Sequence, residues 1–418
     1  MTNSRRIVLL LFLLSLITAI STGTRMYYRF TYFFGLMLAG SWIWSKVALR
    51  GLHLARSART VRAQVGYIFE ERFDLQNQYP IPRLWVEVRD GSSLPGSEGS
   101  RVLSMINGKA GRSYLARTRL VQRGVYPLGP TTLASSDIFG LFPVSIQVPS
   151  AESLLVYPLM IPVRGFPNPP GLMPGGEALR RKTHQITTNA SGVREYVHGD
   201  SLSRIHWLST ARRDRLMVKE FELDPMADVW IFLDGAAYVH SGNTQPLMDP
   251  KVRDIWQKSV KIKLPASTEE YAVSIAASIA RDYLSRSRAV GLVTAGSQLT
   301  ALPPDRGARQ LGKILEALAI LNAKGKMPLR GLVEAQARNL ARGSTVVIIT
   351  TSVARELPVI LDYLVMSGLR PVVVLLDDVS FGGQYLTDSL TNQIKALGVP
   401  LRLVREGDEL EQVLVTPV

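Results

Sequence analysis

The thirty residues from Val193 to Glu222 read "VREYVHGDSLSRIHWLSTARRDRLMVKEFE". They hold two histidines, five acidic side chains and six Lys/Arg. Groups of these kinds can move protons. His198 or His206 would serve as a general base, Asp200 or Glu195 would orient it, and Arg204 or Arg212 would clamp an anion. A metal-dependent hydrolase would draw on His198, Asp200 and His206. Such a centre needs several carboxylates or imidazoles converging on one or two ions. No H-x-H, H-x-x-x-H or D-x-D pattern accompanies these three residues. The chain has no cysteine, so thiol catalysis, disulfides and thiolate-held metals are excluded. It also lacks a G-x-S-x-G elbow and a Walker A loop.

A structural reading accounts for more of these residues. Gly199-Asp200 suits a turn, with Asp200 capping a helix over "SLSRIHWLSTARR". Leu202, Ile205 and Leu208 would share one face of that helix. Arg204 and Arg212 are expected to pair with Glu195, Glu220 or Glu222, and Trp207 to anchor the packing. Acids and bases nearly balance here, as in an internal ion-pair network. A nucleic-acid surface would be one-sided, since it must neutralise phosphates. The stretch is therefore expected to hold modules together or to bind a partner, with no catalytic residue, cofactor or metal and no nucleic acid.

The elements that carry this stretch begin at a membrane. The formal charge is +15, yet residues 1–62 hold nine Lys/Arg and no Asp or Glu. Most of the excess thus lies beside two uncharged runs, Ile7–Gly23 and Phe30–Ser45. That is a membrane signature before it is a nucleic-acid one. Nucleic-acid or anionic-lipid binding by this basic segment is the second alternative function. Residues 1–62 are expected to form a transmembrane hairpin, with helices near 7–23 and 30–49, and a basic exit. A cleaved signal peptide over the first run is the competing reading. The cations at both ends place everything after about residue 50 in the cytoplasm by the positive-inside rule.

Residues 63–165 read as short alternating strands separated by turn-rich breaks such as "DGSSLPGSEGS", which predicts an antiparallel β-sandwich. Asp137 in "SSDIFGLFPV" is expected to cap a turn. Residues 166–191 are rich in Pro and Gly and read as a linker. After the 192–225 segment, residues 226–418 alternate Val/Ile/Leu-rich strands with amphipathic helices. That pattern predicts a mainly parallel sheet covered on both faces. Ser267 and Glu270 are expected to cap the first long helix there.

The constellation Arg194-Glu195-Tyr196, Gly199-Asp200, Arg204-Ile205-His206-Trp207 and Arg212, followed by Lys219-Glu220, resembles the core of the bacterial domain-of-unknown-function-58 family. "RGVYPLGPTTLASSDIFGLF" and "LPPDRGARQLGKILEALA" extend the resemblance over most of the chain. It implies a membrane-anchored cytoplasmic protein with a von Willebrand factor A-like (Rossmann-type) domain, associated with MoxR-type AAA+ ATPases. No established enzymatic activity comes with it. Metal-binding domains of that type use a D-x-S-x-S loop after the first strand. Here the loop is Asp234-Gly235-Ala236-Ala237-Tyr238, with both serines replaced, so Asp234 marks a degenerate metal position. The expected function is a membrane-tethered scaffold or adaptor, with an AAA+ ATPase as its protein partner and the bilayer as its support.

Overall fold

The computed structural model describes residues 3–163, 165–167, 190–197, 205–221, 228–245, 263–351, 353 and 355–415. They fall into two units. The first comprises residues 1–159, 245–265 and 315–320, and the second comprises the remainder. Most of the expected 166–191 linker, together with His198, Gly199, Asp200 and Arg204, lies outside the described residues.

The first unit opens with helices α1 (Asn3–Thr22) and α2 (Arg25–Val47). Gly23, at φ +65°, makes the turn, a left-handed conformation that glycine adopts without steric cost. Thr31 donates to Ser15 across the pair at 3.2 Å. The junction is therefore much tighter than the six residues expected, and Arg25 and Arg29 belong to α2 instead of a loop. Among the described helices only α1 is long and apolar enough to cross a membrane, with a mean hydropathy of 1.8, so the expected second spanning helix is not supported for α2. Leu10, Leu13, Leu14, Ile17 and Ile20 are each more than half exposed on α1. A signal sequence meets the same description.

The chain then enters sheet at once. Strands β1 (Leu52–Ala58), β3 (Ile68–Asn77) and β6 (Gly111–Arg119) form one antiparallel sheet. Strands β4 (Arg83–Asp90), β5 (Arg101–Ile106), β8 (Thr131–Ser135) and β9 (Val144–Val148) form a second, ordered β5-β4-β8-β9. The inward residues of both sheets share one core: Phe73, Leu75 and Tyr114 meet Val86, Val88 and Leu133. Phe73 and Tyr114 stack with their ring centroids 5.0 Å apart. A third sheet, β2 (Arg62–Gln64), β10 (Ser153–Tyr157) and β7 (Gly124–Pro127), departs from the antiparallel expectation, because β2 and β10 run parallel.

Arg56, on β1, is not a solvated exit cation. Its Nε and Nη2 hold Glu71 at 2.8 and 3.0 Å, and its Nη1 holds Asp90 at 2.8 Å. All three side chains are at most 7% exposed. Arg59 likewise pairs with Glu70 at 3.1 Å. Part of the basic exit is thus consumed by the sandwich's own acids.

The second unit carries a six-stranded mixed sheet in the order β15-β14-β13-β16-β17-β18. Before it come β11 (Ala190–Glu195), α3 (Trp207–Arg213) and β12 (Met217–Phe221). The sheet's elements follow in chain order: β13 (Val229–Leu233), α4 (Thr268–Ser285), β14 (Val290–Ala295), β15 (Leu299–Asp305), α5 (Gly307–Ile320), α6 (Leu329–Ala337), β16 (Thr345–Thr351), α7 (Leu357–Met366), β17 (Arg370–Leu376), α8 (Asp388–Ala396), β18 (Leu401–Val404) and α9 (Leu410–Val413). Strands β14, β16 and β17 are almost wholly buried, which requires cover on both faces. Only β15 runs antiparallel. It carries Pro303 and Pro304 at the sheet edge, where a missing N–H breaks no ladder.

Phe166 is buried, lies edge-on to Tyr283 of α4 and sits beside Pro167, whose carbonyl accepts from the Tyr283 hydroxyl at 2.6 Å. The start of the expected linker is thus packed against this unit.

Candidate functional site

Where β13 ends, the chain crosses through α4 to β14 on one side, while β16 flanks β13 on the other. Connections leaving in opposite directions open a crevice at the carboxyl ends of the strands, the usual ligand position of open α/β sheets. A cleft of about 430 Å³ lies there, lined by Asp234, Tyr238, Arg330, Arg355, Glu356 and Tyr385 among others.

Asp234, just past β13, is 2% exposed. Its Oδ2 accepts from the Thr350 hydroxyl at 2.8 Å, and its Oδ1 from the Ala236 amide at 3.2 Å. Burial pushes the carboxyl up from its ordinary value, against the opposing pull of Thr350 and Ala236. Thr351 donates to the Val239 carbonyl at 2.8 Å. The two threonines ending β16 therefore fasten the exit of β13.

The loop after Asp234 is clamped from other directions too. Gly325 donates to Gly235 O at 3.0 Å and accepts from the Ala237 amide at 2.9 Å. A Cβ on Gly325 would stand 2.0 Å from Ala295 O. His240 Nε2 lies 2.8 Å from Asp234 O, and its Nδ1 lies 3.1 Å from Thr268 Oγ1. Nε2 faces a carbonyl and so carries a proton toward it. Thr268 also takes the work expected of Ser267: Ser267 stands at the N-cap of α4 but makes no capping bond with its side chain. The Thr268 amide and hydroxyl bind Ser241 instead.

Asp378 accepts from Ser241 Oγ at 2.6 Å and from the amides of Gln384 and Tyr385 at 2.9 and 3.1 Å. That buried carboxylate fixes the turn bearing Tyr385. Arg355 lies over the Tyr385 ring at 5.4 Å, and Arg330 pairs with Glu334 at 2.8 Å on the α6 surface. The cleft thus presents two guanidinium groups and two phenols around a sealed carboxylate. Among the described residues no three His, Asp or Glu side chains converge as a metal set.

The residues of the 192–225 stretch form a different feature. Strands β11 and β12 pair antiparallel, placing Val193 opposite Lys219, Arg194 opposite Val218 and Gly192 opposite Glu220. The Tyr196 amide donates to Leu216 O at 2.8 Å. Ile205 joins the hairpin through a bridge to Val218 and is not helical. Helix α3 starts only at Trp207, and its cap is His206, whose Nδ1 accepts from the Ser209 amide at 3.1 Å.

The expected apolar helix face is absent from α3. Trp207 is 68% and Leu208 62% exposed, so Trp207 is not a packing anchor. Glu195 pairs with Arg215 at 3.1 Å, both exposed. Among the described residues Arg212 forms no ion pair.

Comparison with known proteins sets this hairpin in context. Residues 192–255 match the family described as "Protein of unknown function DUF58". The DUF58 match spans the hairpin, α3, β13 and the Asp234 loop. A relative in Bacillus subtilis (strain 168), "Uncharacterized protein YeaD", is 20% identical over 366 residues, covering 86% of this chain and 84% of its own. Among solved structures, the CARDB domain of a Pyrococcus furiosus protein is similar over 25% of this chain and 91% of its own, with 12% identity and a TM-score of 0.18. The alkylpurine DNA glycosylase AlkC of Pseudomonas fluorescens is similar over 32% of this chain and 43% of its own, with 10% identity and a TM-score of 0.17. Scores this low fix no fold.

Thr350, Arg330, Arg355 and Tyr385 escaped the sequence reading. The Thr-Thr pair ending an otherwise apolar buried strand was the available signal, since buried hydroxyls need partners.

Proposed function

We propose that this chain is a membrane-anchored scaffold or adaptor whose C-terminal α/β unit, of von Willebrand factor A-like type, binds a protein partner in the Asp234 cleft. The observation that carries this reading is the cleft's chemistry. Asp234 is buried and already hydrogen-bonded, while Arg355 offers its charge at the rim beside Glu356 and beside Arg330, which already pairs with Glu334. Guanidinium groups take carboxylates in bidentate pairs, so the partner presents an acidic segment. The partner is an AAA+ ATPase of the MoxR type, following the family resemblance. Anchoring rests on the apolar, uncovered surface of α1. A cytoplasmic cleft is part of the proposal, supported by Arg5 and Arg6 ahead of the apolar run of α1.

The test is affinity purification of the full chain from membranes, in mild detergent with ATP present. The ATPase is expected to co-purify with the natural chain and to be lost from the double variant Arg330→Glu, Arg355→Glu. Equal recovery by both would move the interface elsewhere. Recovery of no ATPase by the natural chain would count against the adaptor reading.

A further inference from the structure

A second cleft, of about 650 Å³, lies within the first unit, where both ends of the helical hairpin meet the loop between β8 and β9. Arg5 of α1, Trp42 and Lys46 of α2, and Leu141 and Phe142 of the loop line it, with two cations and no carboxylate in its described lining. The Arg5 guanidinium lies 4.5 Å from the Phe142 ring centroid, and Lys46 Nζ lies 5.7 Å from that of Trp42. Arg5 Nε is buried without a hydrogen-bond partner, a state that costs free energy until an acceptor arrives.

The loop itself is rigidly made. Asp137 is buried and accepts from the Phe142 amide at 2.7 Å and the Phe139 amide at 3.0 Å. That turn leaves Ile138 and Phe139 at 75% and 58% exposure in the loop whose Leu141 and Phe142 line the cleft. Exposed apolar groups next to cations and a tryptophan have the composition of a bilayer interface.

We propose that this cleft binds the phosphate of an anionic phospholipid. The paired cations supply the charge, Arg5 Nε gains its missing acceptor, and the walls of Trp42, Leu141 and Phe142 accept the glycerol and upper acyl chain. Those apolar walls favour a lipid over a free phosphate ion. The proposal rests on the anchoring proposed above, so the experiment separates the two.

Membranes bearing the full chain are first washed with alkaline carbonate. Release of the chain would defeat the anchoring itself and this site with it. The retained chain is then extracted, offered phosphatidylglycerol and phosphatidylcholine of identical acyl chains, and weighed with its bound lipid by native mass spectrometry. About tenfold preference for phosphatidylglycerol is expected. That preference should disappear in Arg5→Gln, Lys46→Gln and persist in the charge-conserving Arg5→Lys, Lys46→Arg. Equal retention of the two lipids by the natural chain, or an unchanged preference in the Gln variant, overturns the proposal. Displacement of the lipid by millimolar inorganic phosphate would assign the cleft to a soluble anion and overturn it equally.

Discussion

The hydroxyl of Thr350 meets the carboxylate of Asp234 at 2.8 Å, joining the ends of two adjacent parallel strands inside the sheet's carboxyl-end cleft. The carboxylate is thereby spent on architecture. Thr350→Val would leave one buried acceptor oxygen without this donor, at a cost of about 1–3 kcal/mol. Thr350→Ser keeps the donor and should cost less. Thermal unfolding of the full chain in detergent, with the two variants side by side, measures the difference.

The Asp234 carboxyl is raised above its ordinary value of 3.8, chiefly by burial. A raised folded pKa means that its stabilising contribution is complete below the unfolded value and is lost as pH rises through the folded one. Melting temperature followed upward from about pH 4 should therefore decline in the natural chain more than in Asp234→Asn. Parallel profiles would show that Asp234 carries no such linkage.

Arg56 holds Glu71 and Asp90 in the sandwich interior. Removing one partner of a buried ion cluster strands the others, and Arg56→Ala should destabilise the first unit by about 3–5 kcal/mol. Denaturant unfolding monitored by tryptophan fluorescence would register it. A loss below about 1 kcal/mol would mean the acids find water or other partners.

Gly325 allows two loops to touch. Alanine there would bring its Cβ within 2.0 Å of Ala295 O and 2.8 Å of Gly235 O. Overpacking of this kind costs about 1–3 kcal/mol. Faster hydrogen exchange at the Ala237 amide, which donates to Gly325 O, would localise the damage to the Asp234 loop.

The alternating half of the chain was legible because its signals are local. Continuous Val/Ile/Leu runs mark β13, β14, β16 and β17, and amphipathic spacing marks α4 to α7. Strand β15 was hidden by its two prolines, which an edge tolerates. In the 193–222 stretch the helix and its packing differ from expectation for a plain cause. A helical period over Leu202, Ile205 and Leu208 is visible in sequence, yet Ile205 pairs with Val218 in a sheet and the helix begins only after it. Tertiary pairing overrode the local pattern. Charge was misplaced for a similar reason: Arg56 looks like a membrane flank until β1 brings it beside Glu71, fifteen residues on. Of the cleft, only Asp234 was legible. Asp234, Arg330, Arg355 and Tyr385 come from four separate loops or helix ends, and no spacing in the sequence links them.

The Asp234 cleft is expected to receive an acidic segment of another protein. Tyr238 lines that cleft and is 59% exposed, so a photo-crosslinking amino acid in its place would report directly in intact cells. Crosslinks to Asp/Glu-rich peptides of an AAA+ ATPase, lost when Arg330 and Arg355 are both changed to Glu, are the predicted result. Crosslinks that persist unchanged in that double variant, or that fall on peptides without acidic residues, would contradict it.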